Sequence, residues 1–72
     1  MKLIYYAETD SLYIELCDGV GSEVREIVHG LNADIDGLGR VVGLDIDQAS
    51  NFIDLSTLEI AGLPYQAFAK TA

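Results

Sequence analysis

The sequence predicts a mainly β domain over residues 1–72, with about five strands in an antiparallel meander. An irregular or short-helical C-terminal segment is expected to cover one face, and an α+β arrangement is the alternative. Three observations carry this expectation. Apolar residues recur at every second position through the first two thirds of the chain, the pattern of half-buried strands. Turn residues, above all Gly beside Asp or His, interrupt that alternation at short intervals. From Asp47 onward the apolar positions follow neither the strand nor the helix period.

The first strand is read from Leu3, Tyr5 and Ala7 alternating with Ile4 and Tyr6, and the second from Leu12, Ile14 and Leu16 alternating with Tyr13 and Glu15. Glu8-Thr9-Asp10-Ser11 joins them as a hairpin. Asp18-Gly19-Val20-Gly21 is the next turn. It leads into a strand with Val24, Glu26 and Val28 on one side and Glu23, Arg25 and Ile27 on the other. After His29-Gly30, Leu31, Ala33 and Ile35 alternate with Asn32, Asp34 and Asp36. Gly37-Leu38-Gly39 then turns the chain into Val42, Leu44 and Ile46, whose alternates are Val41, Gly43 and Asp45. In the tail, Asp47 or Ser50 is placed to cap a short helical turn through Phe52, and Ser56-Thr57-Leu58-Glu59 has the form of a capping box. Pro64 excludes a long continuous helix there, because it lacks a donor and clashes with the preceding turn. Phe52, Ile53, Leu55, Leu58, Ile60, Leu63, Tyr65 and Phe68 supply the apolar cover.

Register follows from keeping the apolar faces intact, since a one-residue slip turns every side chain over. Pairing Ala7 with Leu12 sets Tyr5 opposite Ile14 and Leu3 opposite Leu16, with Tyr6 facing Tyr13 on the other side. The second strand is expected beside the third, with Leu16 opposite Val24. That places Glu15 opposite Arg25 and Tyr13 opposite Ile27, two favourable cross-strand pairs. In the last hairpin two signals compete. The apolar pattern pairs Leu31, Ala33 and Ile35 with Val42, Leu44 and Ile46. The turn chemistry of Asp36-Gly37-Leu38-Gly39, with a left-handed Gly39, shifts that pairing by one. The apolar pattern is preferred. One face then carries Leu3, Tyr5, Leu12, Ile14, Leu16, Val24 and Val28 as a core, with Glu26 out of place. The reverse face shows Ile4, Tyr6, Tyr13 and Ile27, an apolar and aromatic patch expected to be a protein interface. Asn32, Asp34 and Asp45 gather on the same side of the last hairpin, with Asp36 and Asp47 flanking them.

Charge narrows the partners. Twelve acidic residues against four basic ones give a formal charge of −8, so the chain repels phosphate backbones and anionic membrane surfaces. Direct nucleic-acid and membrane binding are excluded on that ground. A composition that is 50% hydrophobic and 22% charged is nonetheless that of a folded domain, not of an acidic disordered tail. At 72 residues, burial barely offsets the entropy of ordering. The single cysteine, Cys17, allows no intrachain disulfide, and Cys17 and His29 alone make no zinc site. Association remains as the stabilising device, and a homodimer is expected. Met1-Lys2-Leu3-Ile4-Tyr5-Tyr6 lacks the features of a secretory leader, and the lone thiol suits the reducing cytoplasm.

Few residues suggest chemistry. Asn32, Asp34 and Asp45 are weak candidates for a hard cation, which takes oxygen ligands, but no calcium-loop pattern accompanies them. Asp34, Asp36, Asp45 and Asp47 equally suit docking of a basic protein, where carboxylates give orientation as well as attraction. Cys17 and His29 sit at opposite ends of a strand and make no intrachain dyad. Ser11, Ser22, Ser50 and Ser56 occupy turns or caps, and no nucleophile elbow or phosphate-binding glycine loop is present. No cofactor is expected, and an enzyme is the minor reading.

The stretches Tyr5-Tyr6-Ala7-Glu8-Thr9-Asp10-Ser11-Leu12-Tyr13-Ile14 and Asp34-Ile35-Asp36-Gly37-Leu38-Gly39-Arg40-Val41-Val42-Gly43-Leu44-Asp45-Ile46, followed by Gln48-Ala49-Ser50, resemble domain-of-unknown-function family 2283. Tyr6 stands where that family commonly has Asp. The resemblance implies a small bacterial or archaeal protein with no established activity, so no catalytic residue carries over. It also implies an antitoxin-like or other protein-binding role, from members encoded beside small toxin-like genes. A protein-binding or self-associating module is therefore the expected function, with a cation- or small-ligand-binding domain as the alternative.

Overall fold

The computed structural model describes residues 1–64. Five strands form one antiparallel sheet: β1 (Lys2–Tyr6), β2 (Ser11–Glu15), β3 (Glu23–Val28), β4 (Leu31–Ile35) and β5 (Val41–Ile46). A short 3-10 turn, Ala49–Asn51, follows, and it is the only helical element among the described residues. The expected mainly β fold is the one observed. Tyr65 and Phe68, expected in the cover, lie outside the described residues.

The strand order is β1-β2-β5-β4-β3. β2 therefore does not pair with β3; it pairs with β5, setting Leu12 opposite Ile46, Tyr13 opposite Asp45 and Ile14 opposite Leu44. The segment Cys17–Ser22, with two glycines, carries the chain across the end of the sheet to the far edge. Its path is tied down where the Ser22 amide donates to the Ile35 carbonyl at 2.9 Å. The physical reason lies in the strands themselves. β5 offers β2 an apolar partner on every core-facing position, whereas β3 carries Glu23, Arg25 and Glu26, charges that suit an edge.

The first hairpin forms with its pairs displaced by two residues from the expected register: Tyr5 stands opposite Leu12 and Leu3 opposite Ile14. A shift of two preserves the faces. In the last hairpin each competing signal holds over part of the length, and the expected Ile35–Val42 pair gives way to Ile35 opposite Val41. Leu31 pairs with Ile46 and Ala33 with Leu44, as the apolar pattern requires, while Gly39 is left-handed at φ 82° and donates to the Asp36 carbonyl. An irregularity between Asp34 and Ile35 absorbs the odd residue, leaving Val42 unmatched and buried. On β3, Val24 stands opposite Asp34, so it faces away from the core, and the unmatched Ile27 returns Val28 to the side of Leu31. Glu26, opposite Asn32, is thereby on the polar side after all.

In the tail, neither Asp47 nor Ser50 caps the helical turn. Gln48 occupies that position with a left-handed backbone and no side-chain bond. Among the described residues no helix follows Ser56 either. Asp54 accepts the Ser56 amide at 3.0 Å together with the Ser56 and Thr57 hydroxyls, closing a local turn in place of a capping box.

Candidate functional site

Cross-strand pairing fixes which side chains share a face. On the reverse face one row runs Ile4–Tyr13–Asp45–Asn32–Glu26 across all five strands, and the next runs Lys2–Glu15–Gly43–Asp34–Val24. Four carboxylates, Glu15, Glu26, Asp34 and Asp45, thus stand on one side of the sheet with Lys2 as their one cationic neighbour in these rows.

Tyr13 organises this face. Its hydroxyl donates to a carboxylate oxygen of Asp34 at 2.7 Å, reaching from β2 over β5 to β4. The crossing is open only because residue 43 is glycine: a Cβ there would overlap the hydroxyl and lie 2.6 Å from the ring carbon Cζ. The bond to Asp34 holds the phenol proton and, with partial burial and the nearby carboxylates, pushes the Tyr13 pKa up to about 12. Partial burial raises the Asp45 carboxyl, and the charges of Asp47 and Asp34 raise it further.

The expected interface residues are divided. Ile4 and Tyr13 form a cross-strand pair and Tyr6 lies two residues along β1, but Ile27 sits on β3 at the opposite edge, with β5 and β4 between. The expected acidic residues are divided as well. Asp34 and Asp45 share the reverse face and Asp47 follows at the end of β5. Asp36 is at the other end, where its carboxylate accepts the Leu38 and Arg40 amides and pairs with the Arg40 guanidinium, each at 2.9 Å. These bonds, led by the Arg40 amide, hold its pKa below the ordinary carboxylate range.

Asp10 was not singled out by sequence, yet it ties the first turn to the tail. In a left-handed conformation at φ 54°, it accepts the Tyr5 hydroxyl at 2.7 Å, the Ser50 hydroxyl at 2.6 Å and, more loosely, the Ser50 amide. Its own carbonyl takes the Ala49 amide at 2.8 Å, and Ala49 is completely buried. The Ser50 and Tyr5 hydroxyls hold its carboxyl below the usual range. Both halves of this latch fall in the motifs that carry the family resemblance.

At the same end a cleft of about 550 Å³ opens between three chain turns, with Glu26, His29, Asp47 and Gln48 on its walls. Cys17 lies beyond the opposite end of the sheet, as expected, so the thiol and imidazole are not brought together. Among the described residues no His29 side-chain hydrogen bond orients the ring, and no group of three or more His, Cys, Asp or Glu side chains is placed to hold a metal ion. Asn32, Asp34 and Asp45 share a face without forming such a centre. No helix among the described residues is long and apolar enough to cross a membrane.

No curated protein and no solved structure matches the chain. A family model does: the one described as "Protein of unknown function (DUF2283)" matches residues 2–50, which include all five strands and the Asp10–Ser50 latch. With more than half of its length matched by that model, the chain belongs to this family of proteins of unknown function.

Proposed function

We propose that the protein is a small binding module that docks a basic surface of another protein on the reverse face of its sheet. The observation behind this reading is the segregation of Glu15, Glu26, Asp34 and Asp45 onto that one face, opposite a largely uncharged one. The hydrogen-bonded sheet holds these carboxylates at fixed spacings, and the Tyr13–Asp34 bond fixes one of them further, so a partner's guanidinium groups meet a prepared pattern. Charge on this scale accelerates encounter with a basic partner more than it deepens affinity. Asp36 is committed to its own turn and takes no part. An antitoxin-like role, with a basic nuclease as partner, is the specific form of this reading. The exposed, unpaired Cys17 suits a reducing compartment such as the cytoplasm.

The test is affinity capture with the full chain beside an Asp34→Asn/Asp45→Asn variant. Retained proteins are expected to be basic, to elute in roughly 0.5 M salt, where screening shortens the reach of charge to a few ångströms, and to be lost from the variant. Capture that is indifferent to both the substitutions and the salt counts against the acidic face.

A further inference from the structure

The chain contains two Asp-Gly pairs, Asp18-Gly19 and Asp36-Gly37. Such a pair is chemically weak, because glycine has no side chain to shield its amide nitrogen from the preceding carboxyl carbon. The fold treats the two pairs differently. We propose that Asp18-Gly19 is a site of spontaneous backbone modification, the conversion of Asp18 to isoaspartate, and that the turn around Asp36-Gly37 protects that pair from the same reaction.

The reaction needs no partner and no cofactor. The Gly19 amide nitrogen attacks Cγ of Asp18, a C–N bond forms, and one water leaves with the carboxyl hydroxyl and the amide proton. Water then adds to the five-membered imide at the carbon that had been the Asp18 main-chain carbonyl, and the C–N bond there breaks. The chain now runs through Cγ and is one methylene longer, with the former main-chain carbonyl left as a carboxylate. Composition, mass and charge end unchanged.

Ring closure requires a carboxyl that can turn onto the next nitrogen and a backbone that can deform to meet it. Asp36 has neither. Its carboxylate accepts the Leu38 amide, the Arg40 amide and the Arg40 Nε, each at 2.9 Å, and its side chain is only 9% exposed. Its main-chain carbonyl takes the Gly39 amide at 3.1 Å, and its own amide donates to the Arg40 carbonyl at 2.8 Å. Attack by Gly37 therefore waits for three donors to be given up together. The same donors hold the carboxyl ionised, whereas the ring closes from the neutral acid, whose hydroxyl can leave as water.

Asp18 is exposed in the crossover between β2 and β3. Among the described residues no donor is bonded to its carboxylate, and residues 17–21 make no backbone hydrogen bond. The segment is pinned only on either side, where the Leu16 amide donates to the Val42 carbonyl and the Ser22 amide to the Ile35 carbonyl, both at 2.9 Å. Between these anchors it runs close to the sheet: a Cβ on Gly19 would lie 3.0 Å from Val42 Cγ1, and one on Gly21 3.2 Å from Asp34 Cβ. The added methylene is thus inserted beside buried Val42 and next to the carboxylate that Tyr13 holds.

The full chain, incubated for weeks in warm, mildly acidic buffer, is to be mapped by peptide mass spectrometry, with isoaspartate scored by electron-transfer fragmentation and by resistance to an Asp-directed protease. In the folded chain isoaspartate is expected at position 18 in at least roughly tenfold excess over position 36, the factor that one lost charge-assisted bond already supplies. In guanidinium chloride the two positions are expected to react at similar rates, since the turn bonds are then absent. Asp18→Glu keeps the charge but cannot close the five-membered ring, and it removes the signal at position 18. Absence of isoaspartate at position 18 in the folded chain overturns the proposal, as does equal accumulation at position 36. An excess at position 18 that persists undiminished in guanidinium chloride also overturns it, because the protection then comes from neighbouring residues and not from the fold.

Discussion

The two faces of this sheet are made from the same five strands, alternate residue by alternate residue, yet they are held together by different means. On the apolar face the cross-strand rows join aliphatic side chains that gain by leaving water, and the rows end at Leu3 and Tyr5 with surface still exposed. On the reverse face the rows join polar groups, and one long bond, Tyr13 to Asp34 across Gly43, reaches over a whole strand. Apolar attraction has no direction, so that face tolerates an incomplete cover; a hydrogen bond does have one, so the reverse face depends on a single missing Cβ. The first face is therefore sensitive to how much surface is lost, the second to where individual atoms sit.

Several substitutions break or sharpen this contrast. The largest effect is expected on the polar side. Gly43→Val drives a side chain into the Tyr13 ring and should cost about 3 kcal/mol in urea denaturation. Combining it with Tyr13→Ala should cost less than the sum of the two, since the clash disappears with the ring. On the apolar side, Leu12→Ala removes a half-buried side chain and should cost about 1–2 kcal/mol at fixed protein concentration, below the usual range for a fully enclosed leucine. Equal losses at Gly43 and Leu12 would remove the distinction between the faces. Tyr13→Phe keeps the ring over Gly43 but gives up the bond to Asp34, for about 1 kcal/mol. Its counterpart, Asp34→Asn, should return the Tyr13 phenol from about 12 toward its ordinary range, visible in ultraviolet titration as more tyrosinate at high pH.

The smallest effect concerns Asp45. Its carboxyl is raised in the folded state by partial burial and by Asp47 and Asp34, so the fold disfavours its ionised form. That cost is absent below the ordinary carboxylate range and grows as pH rises through the raised value. Asp45→Asn should therefore raise Tm at neutral pH by about 2–4 °C and lose this advantage in acid. Asp10 and Asp36 have the opposite sign: their lowered carboxyls stabilise above the ordinary range, and that contribution fades as pH falls through their folded values.

Much of this was legible in the residues. The alternation of Leu12, Ile14 and Leu44, Ile46 reports which side chains share a face, and a shift of two in the first hairpin leaves that unchanged. The last hairpin was readable to the point of conflict, because turn residues and apolar pattern each describe a real part of it. The neighbour of β2 was not readable from periodicity. A pair such as Glu15 and Arg25 suggests adjacency wherever it occurs, and the informative signal was the charge on β3, which marks an edge strand. Tyr13–Asp34, 21 residues apart, and Asp10–Ser50, 40 apart, join positions that no local pattern links. Gly43 in the middle of a strand was the clue to the first.

The sequence by itself determined the five strands, the split between an apolar and an acidic set of alternates, and the net repulsion of polyanions, because each depends on local period or on composition. Only the tertiary structure decided that β2 lies against β5, that Tyr13 of the expected aromatic patch bonds Asp34 of the expected acidic one while Ile27 and Asp36 stand apart, and that the tail is latched through Asp10. Those outcomes depend on which surfaces meet in space, and the free energy of such contacts belongs to pairs of residues far apart along the chain.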